Sequence, residues 1–171
     1  AYNLVSVTDA NGCSQTQTGL ATVTVNPLPS ATISGTNTVC QNAVSDSIKF
    51  SGSNGTPPYS FTYNINNGSN ATITANGTTI SILPPTSNAG TFTYNLVAVT
   101  DGNGCTDSVA GSATIIVNPL PVGSLAVSQD SICQNDIALP IITITGSVGS
   151  SPYTFTYNVN GGSSIIKSTS A

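Results

Sequence analysis

The sequence predicts an all-β fold made of tandem β-sandwich repeats of about 92 residues, on three observations: recurring blocks, alternating strands, and turn residues between them. The block YNLVSVTDANGC at 2–13 returns as YNLVAVTDGNGC at 94–105, and VNPLP at 25–29 returns unchanged at 117–121. VCQN at 39–42 returns as ICQN at 132–135, and PYSFTYNINNG at 58–68 as PYTFTYNVNGG at 152–162. The offset is 92 from Cys13 to Cys105, 93 from Cys40 to Cys133 and 94 from Tyr59 to Tyr153. Two single-residue insertions therefore separate the copies, and turns absorb such insertions while strands keep register. A repeat of this length can bury its own core, unlike a short solenoid unit.

With VNPLP as the joint, residues 1–26 are the C-terminal part of a preceding repeat. Residues 27–118 are one complete repeat, and 119–171 are the N-terminal part of a following one. Within the complete repeat, strands are expected near 31–36, 46–52, 70–75, 78–83, 91–100 and 106–117. The clearest strand carries Tyr59, Phe61, Tyr63 and Ile65 alternating with Ser60, Thr62, Asn64 and Asn66. Tyr153, Phe155, Tyr157 and Val159 repeat that alternation, which marks a half-buried strand packed on a second sheet. Asn-Gly, Pro-Pro and Gly-rich turns separate the strands, and no stretch has a helical period. Seven or so short strands, with Tyr94 opening the penultimate one, describe an immunoglobulin-like sandwich. Tyr94 has two readings, a tyrosine-corner hydroxyl or a plain core aromatic, and the second is preferred. The phase of the repeat reads as a window of a longer protein, since a two-stranded tail is marginal in water. A composite of 119–171 with 1–26 of another molecule ranks below that, because 78–92 would be missing from it.

Composition narrows function by exclusion. Charged residues are 5% of the chain, the net charge is −4, and Glu, Arg, His, Trp and Met are absent. Regular apolar alternation separates the chain from a disordered tract despite its Ser, Thr, Asn and Gly content. Nucleic-acid binding needs a basic footprint, and two lysines supply none. Without His, Glu or Arg there is no usual triad, no paired-glutamate glycosidase site and no histidine metal site, so no enzyme and no cofactor are expected. The cysteines stand singly rather than as CxxC pairs, against a zinc knuckle. No apolar run is long enough to cross a membrane. A surface solvated by hydroxyls and amides suits an extracellular protein.

GTPPYSFTYNINNG at 55–68 and GTFTYNLVAVTDGNGC at 90–105, with VCQN upstream, resemble the repeat of the giant gliding-motility adhesins of Bacteroidota. Phe61 and Tyr63 stand where that pattern usually has a Trp, and Asn42 where a Gly is typical. The resemblance implies stalk repeats of a fibre on the bacterial cell surface, exported through an outer-membrane secretion system and linked to adhesion and gliding. Its partners would be neighbouring repeats and, through other regions, the secretion or motility machinery. Physics supports the stalk: modules joined by Pro-containing linkers form a semi-rigid rod. The alternative function is a carbohydrate-binding module, against which ten Tyr and Phe, mostly in core alternation, leave few for a platform.

Candidate sites are few. Each complete repeat has one Cys before its second strand and one after the Asn-Gly turn, so Cys40 and Cys105 are the natural disulfide, with Cys13 and Cys133 pairing beyond the chain. Such a bridge is worth about 4 kcal/mol by loop entropy, provided the Cα atoms come within about 7 Å, which opposite ends of a sandwich would prevent. Asp101, Asn103 and Asp107 form a weak calcium candidate, with a hairpin turn as the preferred reading. Asp-Ser-aliphatic triplets make Ser47, Ser108 and Ser131 candidate glycosylation sites, by resemblance to the O-glycosylation pattern of Bacteroidota. Asn54, Asn67, Asn70 and Asn76, each in Asn-x-Ser/Thr, read as turn chemistry. Thr72 with Thr74, and Thr143 with Thr145, read as solvent-facing strand positions rather than an ice-binding face, and Lys49 as a solvated lysine rather than an isopeptide donor.

Overall fold

A computed structural model describes residues 1–170, and the chain is all-β. β1 (Tyr2–Thr8) and β2 (Ser14–Ala21) form an antiparallel hairpin. The next eight strands are β3 (Ser30–Ser34), β4 (Asn37–Cys40), β5 (Ile48–Ser53), β6 (Tyr59–Ile65), β7 (Ala71–Ala75), β8 (Thr79–Ile82), β9 (Gly90–Thr100) and β10 (Thr106–Asn118). They build a sandwich of a three-stranded sheet, β3-β5-β8, and a five-stranded sheet, β4-β10-β9-β6-β7. β11 (Val122–Val127) then pairs with β12 (Ile142–Ser147), and β13 (Thr154–Tyr157) with β14 (Ile165–Ser168).

Alternation decides which faces meet. β5 contributes Ile48 and Phe50, and β6 contributes Tyr59 and Phe61, all buried. Tyr94, Leu96 and Val99 of β9 and Ala113, Ile115 and Val117 of β10 complete the core. The step from Leu96 to Val99 breaks strict period 2 because Val97 is an extra residue against β6, where Thr62 and Tyr63 pair with Ala98 and Leu96, and against β10 the register shifts at the same place, with Val109 and Ala110 opposite Val97. Such a bulge shifts the inward face by one residue. Tyr94 is a core aromatic, stacked on Tyr63 with centroids 6.3 Å apart, and burial raises its hydroxyl pKa. The outer face of the five-stranded sheet is a ladder of polar pairs, including Ser60 with Thr74 at 2.8 Å and Asn95 donating to Asn64 at 3.0 Å.

β4 is an element the sequence reading missed. The chain crosses from one sheet to the other at Gly35, whose φ of 118° and 2.4 Å approach of a built Cβ to the Ser47 carbonyl exclude a side chain. Asn37–Cys40 then runs parallel to Ile115–Asn118. Four residues with one apolar side chain facing inward carry too little periodicity to be read locally.

The flanking strands repeat the registers of this sandwich. Tyr2 pairs with Ala21 as Tyr94 pairs with Ala113, and the register shifts at Val5, opposite Gln17 and Thr18, as it does at Val97, opposite Val109 and Ala110. Leu125 pairs with Ile144 as Ile33 pairs with Phe50, and Phe155 with Lys167 as Phe61 with Ile73. A shared close contact accompanies the registers. The ring of Tyr59 lies flat on Gly52, where a Cβ would sit 2.6 Å from Cγ, and Tyr153 lies on Gly146 with the corresponding distance 2.5 Å. Tyr59 is held from the far side by core packing, so the ring cannot retreat. Gly52→Ala is therefore expected to destabilise the sandwich by about 2–3 kcal/mol, as overpacked cores do, read as a lower urea midpoint of the full chain.

Candidate functional site

The densest polar constellation lies at the end of the sandwich where the chain enters. There the β9–β10 turn, Asp101-Gly102-Asn103-Gly104-Cys105, meets the β5–β6 loop. Asp101 is 5% exposed. Its Oδ1 accepts the backbone N–H groups of Asn103 and Cys105 at 3.0 and 2.9 Å, and its Oδ2 accepts that of Thr56 at 2.9 Å. Asn103 Nδ2 donates to Thr56 Oγ1 at 2.9 Å, and Gly102 N–H to the Thr56 carbonyl at 2.6 Å. Small residues make this contact possible: a Cβ on Gly55 would be 2.7 Å from Asp101 Oδ2. Tyr59 ties the same loop from inside, its hydroxyl oxygen accepting Gly55 N–H at 3.0 Å.

This geometry fits the preferred hairpin-turn reading of Asp101, Asn103 and Asp107 and not the weak calcium candidate. Calcium requires oxygen ligands, whereas three N–H donors converge on the Asp101 carboxylate and use both its oxygens. Asp107 lies on β10 opposite Val99, outside the ring of hydrogen bonds. Among the described residues no cluster of acidic, His or Cys side chains is grouped for a metal. The loop is a latch made from an Asx turn, stapling one hairpin to the neighbouring loop.

The expected Cys40–Cys105 disulfide is likewise overturned. Cys40 ends β4 level with Asn118, while Cys105 immediately precedes Thr106 at the other end of β10. At about 3.3 Å per residue the two lie on the order of 35–40 Å apart, far beyond disulfide reach. Cys13, Cys40, Cys105 and Cys133 are all free thiols. The sequence signal, one Cys per motif, located both residues correctly but carried no information about which pole each occupies.

The remaining candidates lie on the surface. Ser47 precedes β5, Ser108 is on β10 and Ser131 follows β11, and all three are exposed. Asn54 and Asn67 adopt positive φ in turns, of 62° and 59°. Lys49, Thr72, Thr74, Thr143 and Thr145 are exposed on their strands. Of the aromatics of the sandwich, Phe50, Tyr59, Phe61 and Tyr94 are buried, and Tyr63 and Phe92 are partly buried against them. An apolar groove of about 720 Å³ opens between β12 and β13, a feature the sequence reading did not single out. No helix among the described residues is long and apolar enough to cross a membrane. Compared with protein-family models the chain matches none, and it matches none of the curated proteins.

Two measurements follow from this geometry. Hydrogen bonding, led by the Thr56 N–H, holds the Asp101 pKa below its ordinary 3.8. The folded state therefore binds fewer protons than the unfolded one between the two values, so the stabilisation is complete above 3.8 and fades as pH falls through the lowered value. Urea midpoints of the full chain are expected to fall as the pH drops from 3.8 toward the lowered value, and this contribution is exhausted below it. Asp101→Asn, which sets an amide N–H₂ against the Thr56 N–H, lowers the midpoint at neutral pH and removes that part of the acid slope. Separately, thiol titration of the unreduced chain is expected to count four thiols, with Cys40 and Cys105 both alkylated under native conditions.

Proposed function

We propose that the chain is a stalk segment of a long, secreted bacterial cell-surface fibre, its complete unit an immunoglobulin-like domain. The observation that carries this reading is the path of the chain through the sandwich. It enters at the pole holding Ser30, Ser53 and Asp101, and leaves by Asn118 at the opposite pole, after the full length of β10. A module with entry and exit at opposite poles extends a rod with each added copy. The strand order, β3-β5-β8 against β4-β10-β9-β6-β7, supports the immunoglobulin-like part of this reading.

The terminal strands are also placed to bear tension. β4, early in the unit's sequence, runs parallel to the last residues of β10 at the exit pole. Pulling the ends apart slides these strands along one another, which loads their hydrogen bonds together rather than one at a time. Linkage to adhesion and gliding, export through an outer-membrane secretion system, and glycans on Ser47, Ser108 and Ser131 belong to the same reading and rest on the sequence resemblance.

Pulling the full chain by its ends in a force spectrometer tests the stalk. One dominant unfolding event is expected, releasing about 30 nm for residues 27–118 at ~3.4 Å per residue. Val39→Pro, which removes a donor from β4, is expected to lower the peak force. Unfolding at negligible force, or saturable binding on a glycan array, would favour a binding module instead.

A further inference from the structure

An asparagine side chain is most open to attack by its own backbone when glycine follows, because glycine has no Cβ to shield the attacking nitrogen. The complete sandwich contains four such pairs: Asn54-Gly55, Asn67-Gly68, Asn76-Gly77 and Asn103-Gly104. All four lie between strands and share the same local chemistry, so the fold decides how each behaves.

Three of the pairs are held at both reacting groups. Gly55 N–H donates to the Tyr59 hydroxyl at 3.0 Å, while Asn54 Nδ2 donates to Ser30 Oγ at 3.1 Å. Gly68 N–H donates to the Ile65 carbonyl at 2.9 Å, and Asn67 Oδ1 accepts Asn95 Nδ2 at 3.2 Å. Gly104 N–H donates to the Asp101 carbonyl at 3.0 Å, and Asn103 Nδ2 donates to Thr56 Oγ1 at 2.9 Å. In each pair the nitrogen that would attack is turned toward a partner, and the carboxamide that would receive it is anchored elsewhere. Asn76-Gly77 is different. It forms the bend between β7 and β8, and both residues are exposed. Among the described residues neither the Gly77 N–H nor the Asn76 side chain has a hydrogen-bond partner. A Cβ built on Gly77 meets nothing within 4 Å, so the turn is open on every side.

We propose that Asn76 is a site of spontaneous self-modification, converting to aspartate and isoaspartate through a succinimide formed with Gly77. The deprotonated Gly77 nitrogen attacks Asn76 Cγ and forms a C–N bond. The Cγ–Nδ2 bond breaks, and Nδ2 leaves as ammonia, taking up the proton that Gly77 gave up. Water then opens the ring at either carbonyl: breaking the new bond gives aspartate, and breaking the original peptide bond gives isoaspartate. One water enters, one ammonia leaves, and no oxidant or metal takes part. The attack is intramolecular, so its rate follows how often the two groups meet. The product carries a charge where the fold has none, since no Asp, Glu, Lys or Arg lies between Lys49 and Asp101. Isoaspartate also lengthens the main chain beside Thr78, whose carbonyl accepts Gly52 N–H at 2.7 Å and ties this turn to β5. The inference rests on this turn and not on the stalk reading, so neither the force nor the glycan result bears on it.

Peptide mass spectrometry of the full chain, kept at mildly alkaline pH where more of the amide is deprotonated, tests it. In the folded chain Asn76 is expected to lose its amide at least about tenfold faster than Asn54, Asn67 and Asn103, which must first open their hydrogen bonds. In urea the four are expected to react at similar rates, since only the fold separates them. Gly77→Ala, which places a Cβ in open space, is expected to keep the wild-type urea midpoint and to slow the loss at Asn76. Equal rates at the four folded sites, or a faster reaction at any of the three held ones, overturn the inference. So does a preference for Asn76 that persists in urea, or a Gly77→Ala chain that reacts at the wild-type rate.

Discussion

Insertion of the β9–β10 hairpin into the middle of the five-stranded sheet is the constraint on which the rest of the structure depends. β9 is hydrogen-bonded on both sides, by β10 and β6, and its inward face supplies Tyr94, Leu96 and Val99 to the core. Burying three such side chains is worth roughly 2 kcal/mol each. The value of the comparison is that the chain contains its own control. In β1 nearly the same residues as in β9 keep the same hairpin pairing and register shift, yet stay exposed because no β6 or β5 stands opposite. Local sequence makes the hairpin, and the second sheet makes it a core.

The hairpin is fixed in place by contacts that ionic chemistry does not provide. With charged residues at 5%, the chain uses backbone amides, hydroxyls and carboxamides as its polar currency. Asp101 is one of few charges, and it is spent on three N–H groups rather than on a cation or a catalytic proton. Gly55, Gly102 and Gly52 are the spatial counterpart of this economy: each is bare where another group needs the room. A latch at one pole and a parallel strand pair at the other give a module whose two ends are tied before its sides. That arrangement suits a load-bearing reading better than a recognition site, for which the buried aromatics leave no exposed platform.

The cysteines show how a sound local argument fails. Their spacing and single occurrence in each repeat made an intradomain bridge reasonable, and loop entropy favoured it. Register decides otherwise, because β4 pairs with the last residues of β10 while Cys105 precedes its first. The calcium candidate fails for a related reason. Carboxylate and amide side chains close in sequence resemble a cation loop, but the turn folds so that N–H groups, not oxygens, face the carboxylate.

What the sequence determined by itself was everything with a period or a turn: all-β class, the copies and their offsets, the strand at Tyr59–Ile65 with its buried face, and the hairpin around Asn103-Gly104. These are legible because side-chain alternation and positive-φ turn residues act over two to six neighbours, within a single element. The tertiary structure alone decided what depends on distant segments. It created β4, whose strand identity exists only through pairing with β10 some 78 residues later. It placed Cys40 and Cys105 at opposite poles and directed the Thr56 amide to Asp101, 45 residues away. It also left Leu4 exposed where Leu96 is buried. Burial belongs to the pair of surfaces that meet, and one strand's sequence specifies only its half.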